Sequence, residues 1–187
     1  MIASFSAPTN ATLGTNSAHT LSIDDDDLPT ASFGASGATV TEGSDSVNPV
    51  TATVPLTLNY DTSKSVSVEY YIKGGTASSA DHTLNGGTVT FTNRTAQIPV
   101  PLTPDLSNED DETLILGIRN PVNTMLGGII EYTLTIHDDD LPPTVTFGTR
   151  EPSVFEADTT VTIPVKLSVA SGKTVTVTCT DALSTPR

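Results

Sequence analysis

The sequence predicts an all-β chain: seven-stranded antiparallel, immunoglobulin-like β-sandwiches arranged in tandem. Three observations carry this expectation. Apolar residues alternate with a period of two along most of the chain, and no stretch repeats at helical spacing. The alternating runs are short, rich in Val, Thr, Ile and Tyr, and bounded by Gly, Pro, Asn or Asp. The run Ile23-Asp24-Asp25-Asp26-Asp27-Leu28-Pro29 returns 113 residues later as Ile136-His137-Asp138-Asp139-Asp140-Leu141-Pro142, so a unit the size of a whole domain is repeated.

The repeat sets the domain organisation. Pro8, Asn10, Leu13, Gly14 and Leu21 fall on Pro121, Asn123, Leu126, Gly127 and Leu134 at the same offset. Beyond the Asp run the offset becomes 114, through the second proline of Leu141-Pro142-Pro143, so that Phe33 falls on Phe147 and Glu42 on Glu156. A shorter loop then drops it to 109, placing Lys64, Val66 and Val68 on Lys173, Val175 and Val177. The chain thus reads as one complete unit, 29–141, preceded by the tail of another, 1–28, and followed by the front of a third, 142–187. Neither flanking piece contains a counterpart of residues 79–113, so a unit made from the two pieces lacks at least two strands. An excerpt of a longer array is the simpler expectation.

The strands of the complete unit follow in order. The first covers Ala31 to Glu42 and is broken near Gly37. The second carries Val50, Ala52, Val54, Leu56 and Leu58 on one face, and the third Val66, Val68, Tyr70 and Ile72. Val89 and Phe91 mark the fourth. The fifth carries Ile98, Val100 and Leu102, with Pro99 and Pro101 on its polar phase, which predicts an edge strand because proline has no N–H for a ladder. Leu114, Leu116 and Ile118 mark the sixth, and Ile130, Tyr132, Leu134 and Ile136 the seventh. Half-buried strands at this spacing predict two packed sheets. The paired cysteines and buried Trp of antibody domains are missing, since the chain has one Cys and no Trp.

Charge bounds the function. With 22 acidic against 8 basic residues the formal net charge is −14, which repels nucleic acid and anionic membranes and admits cations. The lone Cys179 allows neither a disulfide within the chain nor a thiolate cluster for a metal. No stretch is apolar and long enough to span a bilayer, and no signal-peptide pattern follows Met1, so export is expected to be directed by sequence outside this chain.

Strand parity then locates the acids. If successive strands run up and down, the first, third, fifth and seventh all end at one pole. Glu42 closes the first, Asp81 follows the third, Asp105 to Glu112 follow the fifth, and the seventh runs into Asp138-Asp139-Asp140. The loops of the opposite pole carry one acid, Asp61. Carboxylates gathered in partly desolvated surroundings repel one another unless something neutralises them. Calcium takes six to eight oxygen ligands in flexible geometry, whereas zinc and copper favour imidazole or thiolate. The acids therefore point to Ca2+. No EF-hand loop is present, because the sixth position after Asp105 is not glycine.

Taken together, Glu42, Gly75-Thr76-Ala77 with Asp81, Gly87-Thr88-Val89-Thr90-Phe91, Asp105 to Leu114, Asn120-Pro121 with Leu126-Gly127, and Asp138-Asp139-Asp140 resemble the Calx-beta domain. This module occurs in the regulatory regions of sodium–calcium exchangers, in some integrin and matrix proteins, and in large bacterial surface proteins. The resemblance covers the central unit in order. It implies a seven-stranded sandwich with calcium in the distal loops, bound by Glu42, Asp81, Asp105, Glu109, Glu112, Asp138, Asp139 and Asp140, with the Ser107 carbonyl as a backbone ligand. His82 stands where the family often has Tyr. In the flanking pieces, Asp25, Asp26, Asp27 and Glu156 are counterparts of only part of this set.

The leading functional expectation is a calcium-binding structural module of a secreted or cell-surface, adhesin- or matrix-like protein. Calcium would rigidify the loops and the proline-restricted joint to the next repeat, its neighbour and partner. Alternatives are a calcium-sensor regulatory domain and a self-assembling extracellular fibre subunit. An enzyme is not expected: no Gly-x-Ser-x-Gly elbow or phosphate loop occurs, and the chain has few aromatic residues with which to build a sugar cleft.

Overall fold

The computed structural model describes residues 1–23, 26–44, 49–149, 157, 160 and 162–180. The elements are β1 (Ile2–Ser4), β2 (Ala18–Thr20), β3 (Thr30–Phe33), β4 (Gly37–Thr41), β5 (Thr51–Leu58), β6 (Ser67–Gly75), β7 (Gly87–Thr90), β8 (Thr95–Pro101), β9 (Glu112–Val122), β10 (Met125–Leu126), β11 (Glu131–His137), β12 (Val145–Phe147) and β13 (Val165–Leu167). Among the described residues no helix is long and apolar enough to cross a membrane.

Residues 30–137 form the sandwich. One sheet has the strand order β10-β3-β5-β8 and the other β4-β11-β9-β6-β7. The opening strand is divided between them. β3 pairs with β5, and after the Gly34–Gly37 break β4 crosses to pair with β11. Gly37 permits that crossing, because a Cβ there would lie 2.4 Å from the Thr133 carbonyl oxygen. The strands are antiparallel as expected, except in two short ladders, β3 with β10 and β4 with β11. Both follow from the opening strand serving two sheets. β8 is an edge strand, so Pro99 and Pro101 face no ladder partner on its open side.

The apolar phases predicted from the sequence meet between the sheets. Val54, Leu56, Leu58, Ile98 and Val100 from one sheet and Val68, Leu114, Leu116, Leu134 and Ile136 from the other are buried in a common core. Phe33 and Tyr132 touch across the layers with ring centroids 5.5 Å apart. Ile72 and Ile130, which continue the alternation in the sequence, are exposed. Two register shifts in β6, before Glu69 and before Gly74, turn its end outward and break the alternation there.

Outside the sandwich, β1 and β2 form one antiparallel hairpin and β12 and β13 another.

Candidate metal centre

Four connections meet at one end of the sandwich, those leaving β4, β6, β8 and β11. Backbone hydrogen bonds fasten them: Glu42 N–H donates to the His137 carbonyl (3.2 Å), Ala77 N–H to Thr113 (3.0 Å) and Thr103 N–H to Asp81 (2.9 Å). Gly75, at a φ of +125°, makes the turn out of β6, and a Cβ there would meet the Thr113 carbonyl oxygen at 2.0 Å. The opposite pole is held by neutral and cationic groups: the Arg94 guanidinium donates to the carbonyls of Leu58 and Asn59, and Asn123 donates to that of Ser65.

The acids fall into two groups. In the first, one carboxylate oxygen each from Glu42, Asp105 and Asp140 lie within 4.8 Å of one another. Glu42 is buried, and its carboxyl is pushed up to about 7, first by burial and then by the charges of Asp105, Asp138, Asp140 and Glu109. Asp140 is raised by burial and by Asp138, Asp139 and Asp105. Asp138 accepts a hydrogen bond from Asn108 Nδ2 (3.1 Å) through one oxygen only. Its Oδ1, like Asp140 Oδ2, is buried with no hydrogen-bond partner.

The second group comprises Asp81, Glu109 and Glu112. Burial opposes ionisation of Asp81, but donors outweigh it: Ser78 N–H (2.6 Å), Ser78 Oγ (2.9 Å) and a hydrogen bond with Glu112 hold its carboxyl below the usual range. Glu112, at the start of β9, takes the opposite shift, to about 7, through burial, the bond to Asp81, and the charges of Asp81 and Glu109. Glu109 links the groups, raised by burial, Asp105, Asp81 and Asp138 against a hydrogen bond from Ser107. Ser107 also donates its N–H to Asp105 Oδ1 (2.6 Å), which closes the start of the loop.

Eight of the nine residues singled out in the sequence thus share one neighbourhood. Asp139 stands at its margin, exposed, with Oδ2 accepting from Ser44 Oγ (3.1 Å). Of the flanking counterparts, Asp25 and Glu156 lie outside the described residues. Sequence reasoning passed over Asn108, whose amide donates to both Asp138 Oδ2 and the Asp140 carbonyl (2.7 Å), joining the loop after β8 to the end of β11. It also passed over the pairing of Asp111 Oδ1 with His137 Nδ1 (2.9 Å). Asn108 sits among acids in the chain, and that placement was the available signal. Residues 171–173 also reach this end, where Ser171 Oγ donates to the Asn108 carbonyl (3.2 Å) and Lys173 pairs with Asp110 (3.1 Å).

The three groups that converge, Glu42, Asp105 and Asp140, each offer a carboxylate oxygen. Glu42 and Glu112, both pushed up to about 7, and the two buried carboxylate oxygens without donors mark a pole where negative charge is crowded and partly desolvated, a conflict that a cation would relieve. The donor set fits a hard divalent ion of adaptable coordination.

A family model described as the Calx-beta domain matches residues 24–140 and again 138–182. Among solved structures, the apo-form Calx CBD1 domain is similar with a TM-score of 0.53 and 25% identity, covering 61% of this chain and 100% of its own. CBD12 from CALX1.2 matches with a TM-score of 0.53 and 25% identity, over 74% of this chain and 57% of that one. The calcium binding domain CBD12 of CALX1.1 gives 0.52 and 26%, over 59% and 44%. The chain therefore spans all of the first structure and about half of the other two. A search of curated proteins gives no match.

Proposed function

The chain belongs to the Calx-beta family, and from that membership we propose that its acidic pole binds calcium as a structural ion in a secreted or cell-surface, multi-domain protein. The single observation carrying this reading is the approach of the Glu42, Asp105 and Asp140 oxygens to within 4.8 Å, beside buried carboxylate oxygens without donors. A bound divalent ion supplies positive charge where the protein has gathered negative charge. Glu42, Asp105, Asp138 and Asp140 would hold it in the first group, and Asp81, Glu109 and Glu112 would extend the site. Asp139 and the Ser107 carbonyl complete the proposed ligand set at its edges. Asn108 positions Asp138 by occupying one of its oxygens and leaving the other free.

Three kinds of feature support a joint-stiffening role. The Asp138–Asp140 triplet lies directly before the Leu141-Pro142-Pro143 linker, and Asn108 ties the Asp140 carbonyl to the loop after β8. The following segment rests on the same loop through Ser171 and Lys173. Residues 29–141 then act as the complete unit, 1–28 as the end of a preceding one and 142–187 as the start of the next. The module binds and braces, and its partners are calcium and the neighbouring repeats.

Calorimetric titration tests this directly. Saturable binding at roughly 0.1–1 mM, accompanied by a rise in melting temperature, is the expected result. No heat and no thermal shift with millimolar calcium would refute the proposal. The likeness to Calx CBD12 structures favours a second reading, a calcium sensor. Micromolar affinity with a large change in scattering profile would transfer the conclusion to it.

A further inference from the structure

Asn85 is the one asparagine in the chain that is followed by glycine. The pair Asn85-Gly86 lies in the connection between Asp81 and β7, and both residues are exposed. This span is anchored on either side. Leu84 before it is buried, and Gly87 after it lies under the Tyr70 side chain, where a Cβ would meet Tyr70 Oη at 2.8 Å. Between those anchors, Asn85 and Gly86 belong to no strand.

β7 is an edge strand, and its ladder to β6 sets where each N–H points. Phe91 N–H donates to the Val66 carbonyl, so the N–H groups of Val89 and Gly87 also face β6, and that of Gly86 turns away to the open side. The Asn85 amide is held loosely, with Nδ2 3.4 Å from the Thr83 carbonyl. Other asparagines are tied more firmly. Asn59 Oδ1 accepts from Thr30 N–H (2.8 Å) and Asn123 Nδ2 donates to the Ser65 carbonyl (2.8 Å). The amides of Asn108 and Asn120 donate to carboxylates. Asn120 is also followed by proline, which has no N–H. Asn85 thus combines a weakly held amide, an unhindered following residue and a main-chain N–H clear of the ladder.

We infer that Asn85-Gly86 is a site of self-modification, at which the main-chain nitrogen of Gly86 closes on the Asn85 side chain and the amide becomes a carboxylate. The Gly86 nitrogen attacks Asn85 Cγ, so that an N–Cγ bond forms and the Cγ–Nδ2 bond breaks. The proton lost by the Gly86 nitrogen leaves with Nδ2 as ammonia, and the product is a five-membered imide. Water then opens one of its two carbonyls. Opening at Cγ leaves aspartate at position 85, and opening at the main-chain carbonyl leaves isoaspartate, with the chain routed through the side chain. Glycine favours closure because it has no Cβ to obstruct the attacking nitrogen and its backbone turns freely. Each event adds negative charge to a chain that is already strongly acidic. The isoaspartate route also lengthens the backbone by a methylene just before the Tyr70–Gly87 pair, so its effect falls on β7. The metal centre is insulated from it, because Thr103 N–H donates to the Asp81 carbonyl and Thr83 N–H to that of Pro101, pinning residues 81–83.

Incubation of the folded chain at mildly alkaline pH, followed by peptide mapping with electron-transfer fragmentation, tests this. The expected result is progressive exchange of the Asn85 amide for a carboxyl, largely as isoaspartate, well ahead of Asn16 and Asn93, which precede Ser17 and Arg94. Gly86→Ala should slow the reaction at least about tenfold. The fold accommodates that methyl, since its nearest neighbour would be the Tyr70 carbonyl oxygen at 3.2 Å. A parallel incubation in denaturant separates the folded site from the bare sequence. Because the pair is open in the fold, the folded rate should lie within about tenfold of the unfolded one. An intact Asn85 in the aged folded chain, modification confined to the denatured chain, equal loss at Asn16 and Asn93, or equal rates in the wild type and Gly86→Ala would each overturn the inference. No cation takes part in the chemistry, so the outcome is independent of calcium binding at the acidic pole.

Discussion

Glu42 is a buried carboxyl whose neighbours are other carboxyls, and this conflict makes the metal-free protein sensitive to pH. Burial and the charges around it raise its carboxyl to about 7, and Glu112 is raised likewise. The folded state then binds more protons than the unfolded one between the ordinary glutamate range and pH 7. Stability linked to these groups is full at the acid side of that window and is lost as pH rises through about 7. In chelator, the melting temperature should be higher at pH 5.5 than at pH 8 by roughly 5 °C. Calcium should reverse the slope, because protons compete for the same oxygens. A calorimetric scan at the two pH values, with and without the ion, reads both signs. Glu42→Gln should raise the metal-free melting temperature by a few degrees and abolish most of the calcium-induced rise. Asp105→Asn should weaken calcium binding at least about tenfold in titration, without lowering metal-free stability, since it relieves repulsion on Glu42 and Glu109.

Among elements, β6 and its exit decide where Asp81 sits. Register shifts before Glu69 and Gly74 and the positive φ of Gly75 turn the chain off the sheet and into the loop that ends at Asp81. Gly75→Ala should cost about 2–3 kcal/mol in denaturant unfolding, because its Cβ would collide with the Thr113 carbonyl. It should also weaken calcium binding through displacement of Asp81. Unchanged affinity in that variant would remove Asp81 from the site. Leu116→Ala, in the centre of the core, should cost about 2–5 kcal/mol and leave affinity per folded molecule unaltered.

At the scale of the whole molecule the acidic pole is also where the next segment begins. The Asp140 carbonyl, Asn108, Ser171 and the Lys173–Asp110 pair form one chain of contacts from the site into residues 171–173. Removing calcium should loosen the anchoring of Asp138–Asp140 and widen the distribution of angles about Leu141-Pro142-Pro143. Small-angle scattering should then show a larger maximum dimension in chelator. Identical profiles in the two conditions would leave the ion a purely local role.

Period-two alternation and the internal repeat were enough to assign the fold class, the strand order along the chain, and the core faces from Phe33 to Ile136, because burial on one face of a strand is written directly in residue type. Parity was enough to send Glu42, Asp81, Asp105–Glu112 and Asp138–Asp140 to one pole. The pairing of β4 with β11 and the outward turn of Ile72 were not legible, since they depend on a glycine close approach and on register shifts between distant strands. Nor was the role of Asn108, whose amide acquires meaning only when two loops 30 residues apart in sequence are brought within hydrogen-bonding distance. Which carboxyls are raised and which lowered, and which oxygens remain without a donor, was decided by tertiary packing alone. Charge is a property of the residue, but repulsion and desolvation are properties of distance.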